Sequence, residues 1–268
     1  MEEEYLNFAK GIAKYVGKVM RDYFFDNIEI EFKEDRTPVT MADKKINNYL
    51  INRVKETYPN HSVDGEEEKY ITGSKNIWVC DPIDGTSMFT HHVPVSVFSL
   101  ALVYDGEPIV GVVYDPFLDE MYTAIKGRGA YCNNQKIFVD SKKLGDLGCA
   151  IDYCDWNKAK YDTLKVVDEL RKYARISRIG SVAHGSMLVA RGLISGEIFP
   201  GTNHGHCDLA ASKLIVEEAG GRVTNFHNKD QRYDQDTDGA VITNGIIHED
   251  IIDVINRNLL NNKKLIKK

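Results

Sequence analysis

The stretch WVCDPIDGTSMF, Trp78 to Phe89, ends an apolar run with two acids, Asp81 and Asp84, and follows them at once with Gly85, Thr86 and Ser87. The run before it, NIWVC at 76–80, reads as a buried strand. A strand end is a rigid platform, and the residues just past it commonly face a ligand crevice. Pro82 restricts the backbone between the acids and removes one N–H donor. Two carboxylates on so tight a turn converge on one point, where their like charges call for a cation between them. Oxygen ligands in a loop suit Mg²⁺, Mn²⁺ or Ca²⁺ better than zinc. Gly85 lets backbone approach a ligand closely. A helix opening at TSMFTHH (86–92) would turn free N–H groups toward an anion such as phosphate. Metal ligands followed directly by an anion cradle give the plan of a phosphoryl-transfer site. The plainer reading is an Asx-type turn in which both acids accept bonds from local N–H groups.

Further acids stand elsewhere. VDGEEEKY (63–70) reads by itself as a solvated acidic loop, although Gly65 permits a turn that aims a glutamate inward. EDRTPVTMAD (34–43) ends in Asp43 at a helix start, with Thr40 as the N-cap. Asp208, in HGHCDLAASKLIVEEAGG, reads locally as the N-cap of the helix that follows.

The whole chain is 268 residues long, 43% hydrophobic and 28% charged, which suffices for a substantial core. Its formal net charge of -6 gives no reason to expect a nucleic-acid partner. The five cysteines (Cys80, Cys132, Cys149, Cys154 and Cys207) are odd in number and lack CxxC spacing, so reduced thiols and a cytoplasmic location are expected. MEEEYLNFAKG lacks the pattern of a signal peptide, and no apolar run is long enough to span a membrane. The basic end, NNKKLIKK, reads as a solvated tail.

Apolar residues from Leu6 to Phe24 recur at three- and four-residue steps and predict a helix. IEIEF (28–32) predicts a strand, and MADKKINNYLINRVKETYP a second helix stopped by Pro59. Residues 95–125 hold three strand-like runs, and GAYCNNQKIFV a hairpin turning at Asn133-Asn134. CAIDYC (149–154) and ISRIG (176–180) read as strands around a helix over 159–174. Helices follow over 181–194 and 208–221, the latter stopped by Gly220-Gly221; then come the strand AVITN and a helix from His248. This order suggests layered helices and sheets in an α+β fold, with two subdomains, about 1–143 and 144–268, sharing a cleft.

WVCDPIDGTSMF resembles the signature of the inositol monophosphatase family, Asp-Pro-Ile-Asp-Gly-Thr followed by a small residue, a variable one and Phe. FKEDRTPVTMAD is similar to that family's Lys-x-Asp-x-(Ser/Thr)-x-Val-Thr-x-Ala-Asp segment, DGEEE to its Gly-Glu-Glu, and RIGSVAHGSMLVARG to its Arg-x-Gly-Ser-x-Ala helix start. CDLAASKLIVEEAGG is similar to its late Trp-Asp-x-Ala-Ala…Glu-Ala-Gly-Gly block. The resemblance implies a single αβαβα sandwich of the inositol monophosphatase/fructose-1,6-bisphosphatase type that hydrolyses a small phosphate monoester with Mg²⁺. It implies Glu66, Asp81 and the Ile83 carbonyl as ligands of one metal, and Asp81, Asp84 and Asp208 as ligands of a second. Thr86 and Asp43 would orient or deprotonate the attacking water, with Glu66 near it. Gly85, Thr86, Ser87, Gly180 and Ser181 would contact the phosphate or the alcohol, and Lys33 would balance the acids. Li⁺ sensitivity and a homodimer are implied in the same way.

Two positions depart from the pattern. Cys207 stands where the family's late block has Trp, and Gly201 where inositol-specific members tend to carry a glutamate. Glu197 lies at the wrong spacing to replace it. Inositol monophosphate, histidinol phosphate, a sugar phosphate, fructose 1,6-bisphosphate or a phosphonucleotide all stay open as substrates. An aspartyl-phosphate mechanism at Asp81 or Asp84 competes with direct attack by water. A non-catalytic cation- or phosphometabolite-binding protein on the same scaffold competes with an enzyme. His204, His206 and Cys207 lack a fourth ligand at zinc spacing and read as pocket lining or loop hydrogen bonding. His91 and His92 read as helix surface or a dimer contact, and the Gly-x-Gly of KGRGAYCNN as part of a hairpin.

Overall fold

A computed structural model describes residues 1–26, 30–32, 38–154 and 159–260. Helix α1 (Glu2–Phe24) buries Ala9, Ile12, Ala13, Val16 and Met20 along one face, the stripe that its sequence spacing predicts. Helix α2 (Met41–Thr57) begins at an N-cap, Thr40, whose side chain bonds Ala42 N and Asp43 N while Asp43 bonds back to the cap, a reciprocal capping box. Strands β1 (Ile30–Phe32) and β2 (Pro38–Thr40) pair antiparallel as a small ribbon. Ile28, Glu29 and Lys33, named in the sequence reading, lie outside the described residues.

The main sheet is built from β3 (Ser62–Gly65), β4 (Lys69–Tyr70), β5 (Asn76–Asp84), β6 (Val97–Tyr104), β7 (Glu107–Asp115), β8 (Glu120–Ile125), β9 (Ala130–Cys132) and β10 (Gln135–Lys136). Its spatial order is β10-β9-β8-β7-β6-β5-β3-β4, antiparallel except where β3 meets β5. The meander turns where expected: Asp105 and Gly106 both take positive φ between β6 and β7, as do Asn133 and Asn134 in the β9–β10 hairpin.

Side-chain parity along β6 explains the layering. Phe98, Leu100 and Leu102 join the core under α1 and α2, whereas Val97, Ala101 and Val103 join the core on the opposite face. That second core is shared with α5 (Val182–Ala190) and α6 (Gly205–Glu218), which lie between the main sheet and a second one. The second sheet has β11 (Ala150–Tyr153), β12 (Arg175–Ser177), β13 (Gly196–Phe199), β14 (Arg222–Thr224) and β15 (Ala240–Thr243), in the order β12-β11-β13-β15-β14. Its far face packs Ile151, Ile198 and Val241 against α4 (Leu164–Leu170) and α7 (His248–Ile255). The stack is αβαβα, as the resemblance implies.

Several segments differ from the sequence reading. The start of the 63–70 stretch is not a solvated loop: it belongs to the buried strand Ser62–Gly65, where Asp64 finds a partner inside the protein. The short strands β13 and β14 carry Glu197 and Arg222, which mask their apolar alternation. Helix α4 starts at Leu164 rather than 159. Helix α6 starts at Gly205, capped by His204 in the left-handed conformation.

Leu100 is completely buried at the centre of β6. We expect Leu100→Ala to lower the unfolding free energy by about 2–5 kcal/mol, read from denaturant titration; a change under about 0.5 kcal/mol would place it outside a packed core.

Candidate metal and phosphate site

The two acids of the signature share one face because β5 is bulged between them. Val79 points to the α5–α6 side of the sheet and Asp81 has the same parity. In a regular strand Asp84, three residues on, would point the other way. The pairing of β5 with β6 shifts register between Asp81 and Asp84, and Ile83 packs into the α1–α2 core. The extra residue returns Asp84 to the face of Asp81. The strand therefore runs through the acids instead of stopping at the first, as the sequence suggested.

Asp208 reaches the same point from α6. It lies in that helix's first turn, four residues past the cap, so it is not the N-cap its local sequence suggested. One carboxylate oxygen from each of Asp81, Asp84 and Asp208 lies within 4.8 Å of the others. Burial lifts the Asp81 carboxyl well above its ordinary range, and the negative charges of Glu66, Asp208 and Asp84 lift it further. Asp84 is pushed up to about 6 by burial, although Ser181, Ala183 and Val182 donate to it and favour its ionised form. Its Oδ2 accepts from Ser181 Oγ at 2.7 Å and from Ala183 N at 2.5 Å. Three converging carboxylates with unfavourable self-repulsion and an all-oxygen donor set fit a hard divalent cation.

Glu66 acts electrostatically both on the trio and on Asp43. Asp43 is fully buried and pushed up to about 7, by burial first and by the charges of Glu66 and Glu67. Thr40 N and Thr40 Oγ1 both donate to its Oδ2, at 2.7 and 2.6 Å. Glu66 starts just past β3, with its N–H on the Cys80 carbonyl. Its charge acts on Asp43, Asp81 and Asp84, but it stands outside the tight trio.

Asp81 Oδ1 accepts from Ile83 N at 2.9 Å, so the Asx-type turn is present together with the convergence. Thr86 Oγ1 donates to the Ile83 carbonyl at 2.9 Å. Gly85 has φ of 88°, and a side chain there would come within 2.9 Å of Ser181 Cβ, so glycine is required twice over. Thr86 and Ser87 open the short helix α3 (Thr86–Thr90). Gly180, also at positive φ, packs against Met88, while the Ser181 hydroxyl is committed to Asp84 and to His184 N.

Among the described residues the one grouping of His, Cys, Asp and Glu suited to a metal is the aspartate trio, which does not include His204, His206 or Cys207. His206 is buried with Nε2 3.2 Å from Asp64 and Nδ1 3.3 Å from Asp236. His204 N donates to Asp236. His91 and His92 set Nδ1 against the backbone carbonyls of Ser87 and Phe24. Gly201 has φ of 76°, and a Cβ there would lie 2.8 Å from Gly239 N, so two glycines meet back to back at the position where the resembled pattern has a glutamate. Glu197 is wholly buried, accepts from Ser186 Oγ, and carries a strongly raised pKa from burial and from Asp152. It is a core group and does not stand in for the missing glutamate. Sequence reasoning missed Asp64, Lys69 and Asp236, which sit in polar runs without local signal.

A family model described as the inositol monophosphatase family matches residues 1–260. Inositol monophosphatase 1 of Solanum lycopersicum is 32% identical over 263 residues, 94% of this chain and 95% of the relative. Fructose-1,6-bisphosphatase/inositol-1-monophosphatase of Thermotoga maritima is 30% identical over 261 residues, 94% and 95% of the two chains. The structure of an IMPase/NADP phosphatase complexed with Mg²⁺ and phosphate superposes with a TM-score of 0.84 at 26% identity, covering 96% of this chain and 97% of that one.

In metal-free folded protein Asp84 keeps its proton up to about pH 6, whereas an unfolded aspartate releases it near 3.8. The folded state then binds more protons in that window, so this group's contribution falls as pH rises through it. We expect metal-free wild type to lose melting temperature relative to Asp84→Asn between about pH 4 and 6 and to melt below it at pH 7. Melts in chelator check this, and parallel profiles would contradict it.

Proposed function

The chain belongs to the inositol monophosphatase family, and from that premise we propose a Mg²⁺-dependent phosphatase that hydrolyses a small phosphate monoester by direct attack of water. Membership makes the chain a phosphoric monoester hydrolase. The observation that carries the finer reading is the convergence of Asp81, Asp84 and Asp208 across a strand bulge and a helix start. These three, with Glu66 and the Ile83 carbonyl, would hold the metal. Mg²⁺, when bound, supplies neutralisation of the ester's phosphate oxygens and acidification of water.

The chain's own groups do the rest. Asp43 has both Thr40 bonds on Oδ2, and burial holds its affinity for a proton near that of a neutral-pH base. It would take the proton of the attacking water, with Thr86 fixing that water's direction. Gly85, Thr86 and Ser87 would present backbone N–H groups to the phosphate. Ser181 acts one step back, by holding Asp84. No covalent phospho-enzyme enters, because Asp81 and Asp84 are needed as ligands.

The glycine pair at 201 and 239 bears on the alcohol. With no carboxylate at position 201, specificity for inositol hydroxyls loses a contact, and the reading is a phosphatase of broad small esters. The names of two relatives, each joining an inositol phosphate activity to a second one, agree with that breadth. A cytoplasmic, Li⁺-inhibited homodimer belongs to the same proposal; the free state of all five cysteines agrees with the location.

Phosphate release from p-nitrophenyl phosphate and a panel of phosphorylated metabolites should require Mg²⁺. Asp84→Asn should lower kcat at least about a hundredfold with an unchanged circular dichroism spectrum. Metal binding without turnover on any ester would favour a binding protein instead.

A further inference from the structure

The acids of the site come from separate layers, and something must set their distance. Glu66 leaves the end of β3, and Asp208 leaves the first turn of α6. Two residues before each stands a buried partner of the other: Asp64 on β3 and His206 on α6, with Asp64 Oδ2 3.2 Å from His206 Nε2. A charged side chain flanks the contact on each side. Lys69 Nζ on β4 lies 2.8 Å from Asp64 Oδ1, and Asp236 Oδ1 lies 3.3 Å from His206 Nδ1. Both central side chains are nearly sealed from solvent, at 11% and 2% exposure, so their alignment is not loosened by water.

Cys207, at the position where the resembled pattern has Trp, fills little of this space. Its Sγ is 3.8 Å from His206 Nε2 and 3.9 Å from the Asp64 carbonyl, and its own carbonyl accepts from Ser99 Oγ on β6. A bulky brace between strand and helix is absent here, and a polar contact stands in the same gap.

We propose that the Asp64–His206 contact is a positioning pair: it fixes β3 against α6 and thereby sets the spacing of Glu66 and Asp208 about the metal. In this role the pair needs no contact with substrate or with the reacting atoms. It acts through the ligands two residues on, as partners outside a metal's ligand shell do elsewhere. The inference rests on the metal reading above.

Mn²⁺ binding to the full chain, titrated by its electron paramagnetic resonance signal, tests it. His206→Leu removes no negative charge, so electrostatics alone would leave cation binding unchanged or tighter. Positioning gives the opposite sign: a Kd raised about tenfold or more. His206→Gln keeps a donor near the Nε2 position and should recover most of that loss. Asp64→Asn, which retains the side-chain shape, should weaken binding to a similar degree and gives a second route if His206→Leu does not fold. Asp236→Asn removes an equal charge while leaving the pair intact, and should shift Kd by no more than about fivefold. In turnover, the apparent Mg²⁺ requirement should rise while the ester's KM stays near wild type. Folded His206→Leu and Asp64→Asn proteins that bind Mn²⁺ like wild type would overturn the proposal, even if both melt earlier. A wild-type protein that binds no Mn²⁺ would overturn the metal reading itself.

Discussion

Two buried carboxylates and a half-buried third, one oxygen of each within 4.8 Å of the others, repel, and their mutual repulsion is the constraint around which this molecule is arranged. Burial makes the charged forms costly, and each neighbour makes the next proton harder to lose. Protein groups relieve the strain only in part, through the donors that Ser181 and Ala183 offer to Asp84. The remaining charge is what a divalent cation would neutralise. The same property is what would favour a hard, doubly charged ion there.

The layers serve to bring those acids together. A single bulge in β5 turns Asp84 back to the face of Asp81 while Ile83 anchors the strand in the opposite core. Helix α6 runs between the two sheets, so its first turn can carry Asp208 to the main sheet while its far end packs toward β14 and β15. Helix α5 presents its N-terminal Ser181 and Ala183 to Asp84 and reaches β13 through Ser186 and Glu197. The Asp64–His206 contact adds a cross-tie on the side of β3. Each acid is thus held by a different pair of elements, which gives the site rigidity without placing its residues near one another in the chain.

Much of this was legible in the sequence, and for physical reasons. The 3.6-residue stripe of α1, the capping pattern at Thr40 and Asp43, and the paired turn residues at 105–106 and 133–134 are local signals, and the structure obeys them. The signature acids announced themselves by type and spacing. What stayed hidden depends on distant partners. The start of the 63–70 stretch looked solvated because the partners of Asp64, His206 and Lys69, are far away in sequence or on another strand. Glu197 disguised β13 in the same way, and Asp208 looked like a cap until the helix proved to start three residues earlier. The bulge has no local code beyond Pro82, so the strand was taken to end where it bends.

The most direct test of the central claim is anomalous diffraction from a crystal of the wild-type protein equilibrated with Mn²⁺. The account predicts an anomalous peak within about 2.5 Å of carboxylate oxygens of Asp81, Asp84 and Asp208 together. An anomalous map with no peak among these three side chains, or with the ion held elsewhere while the aspartates point apart, would contradict it.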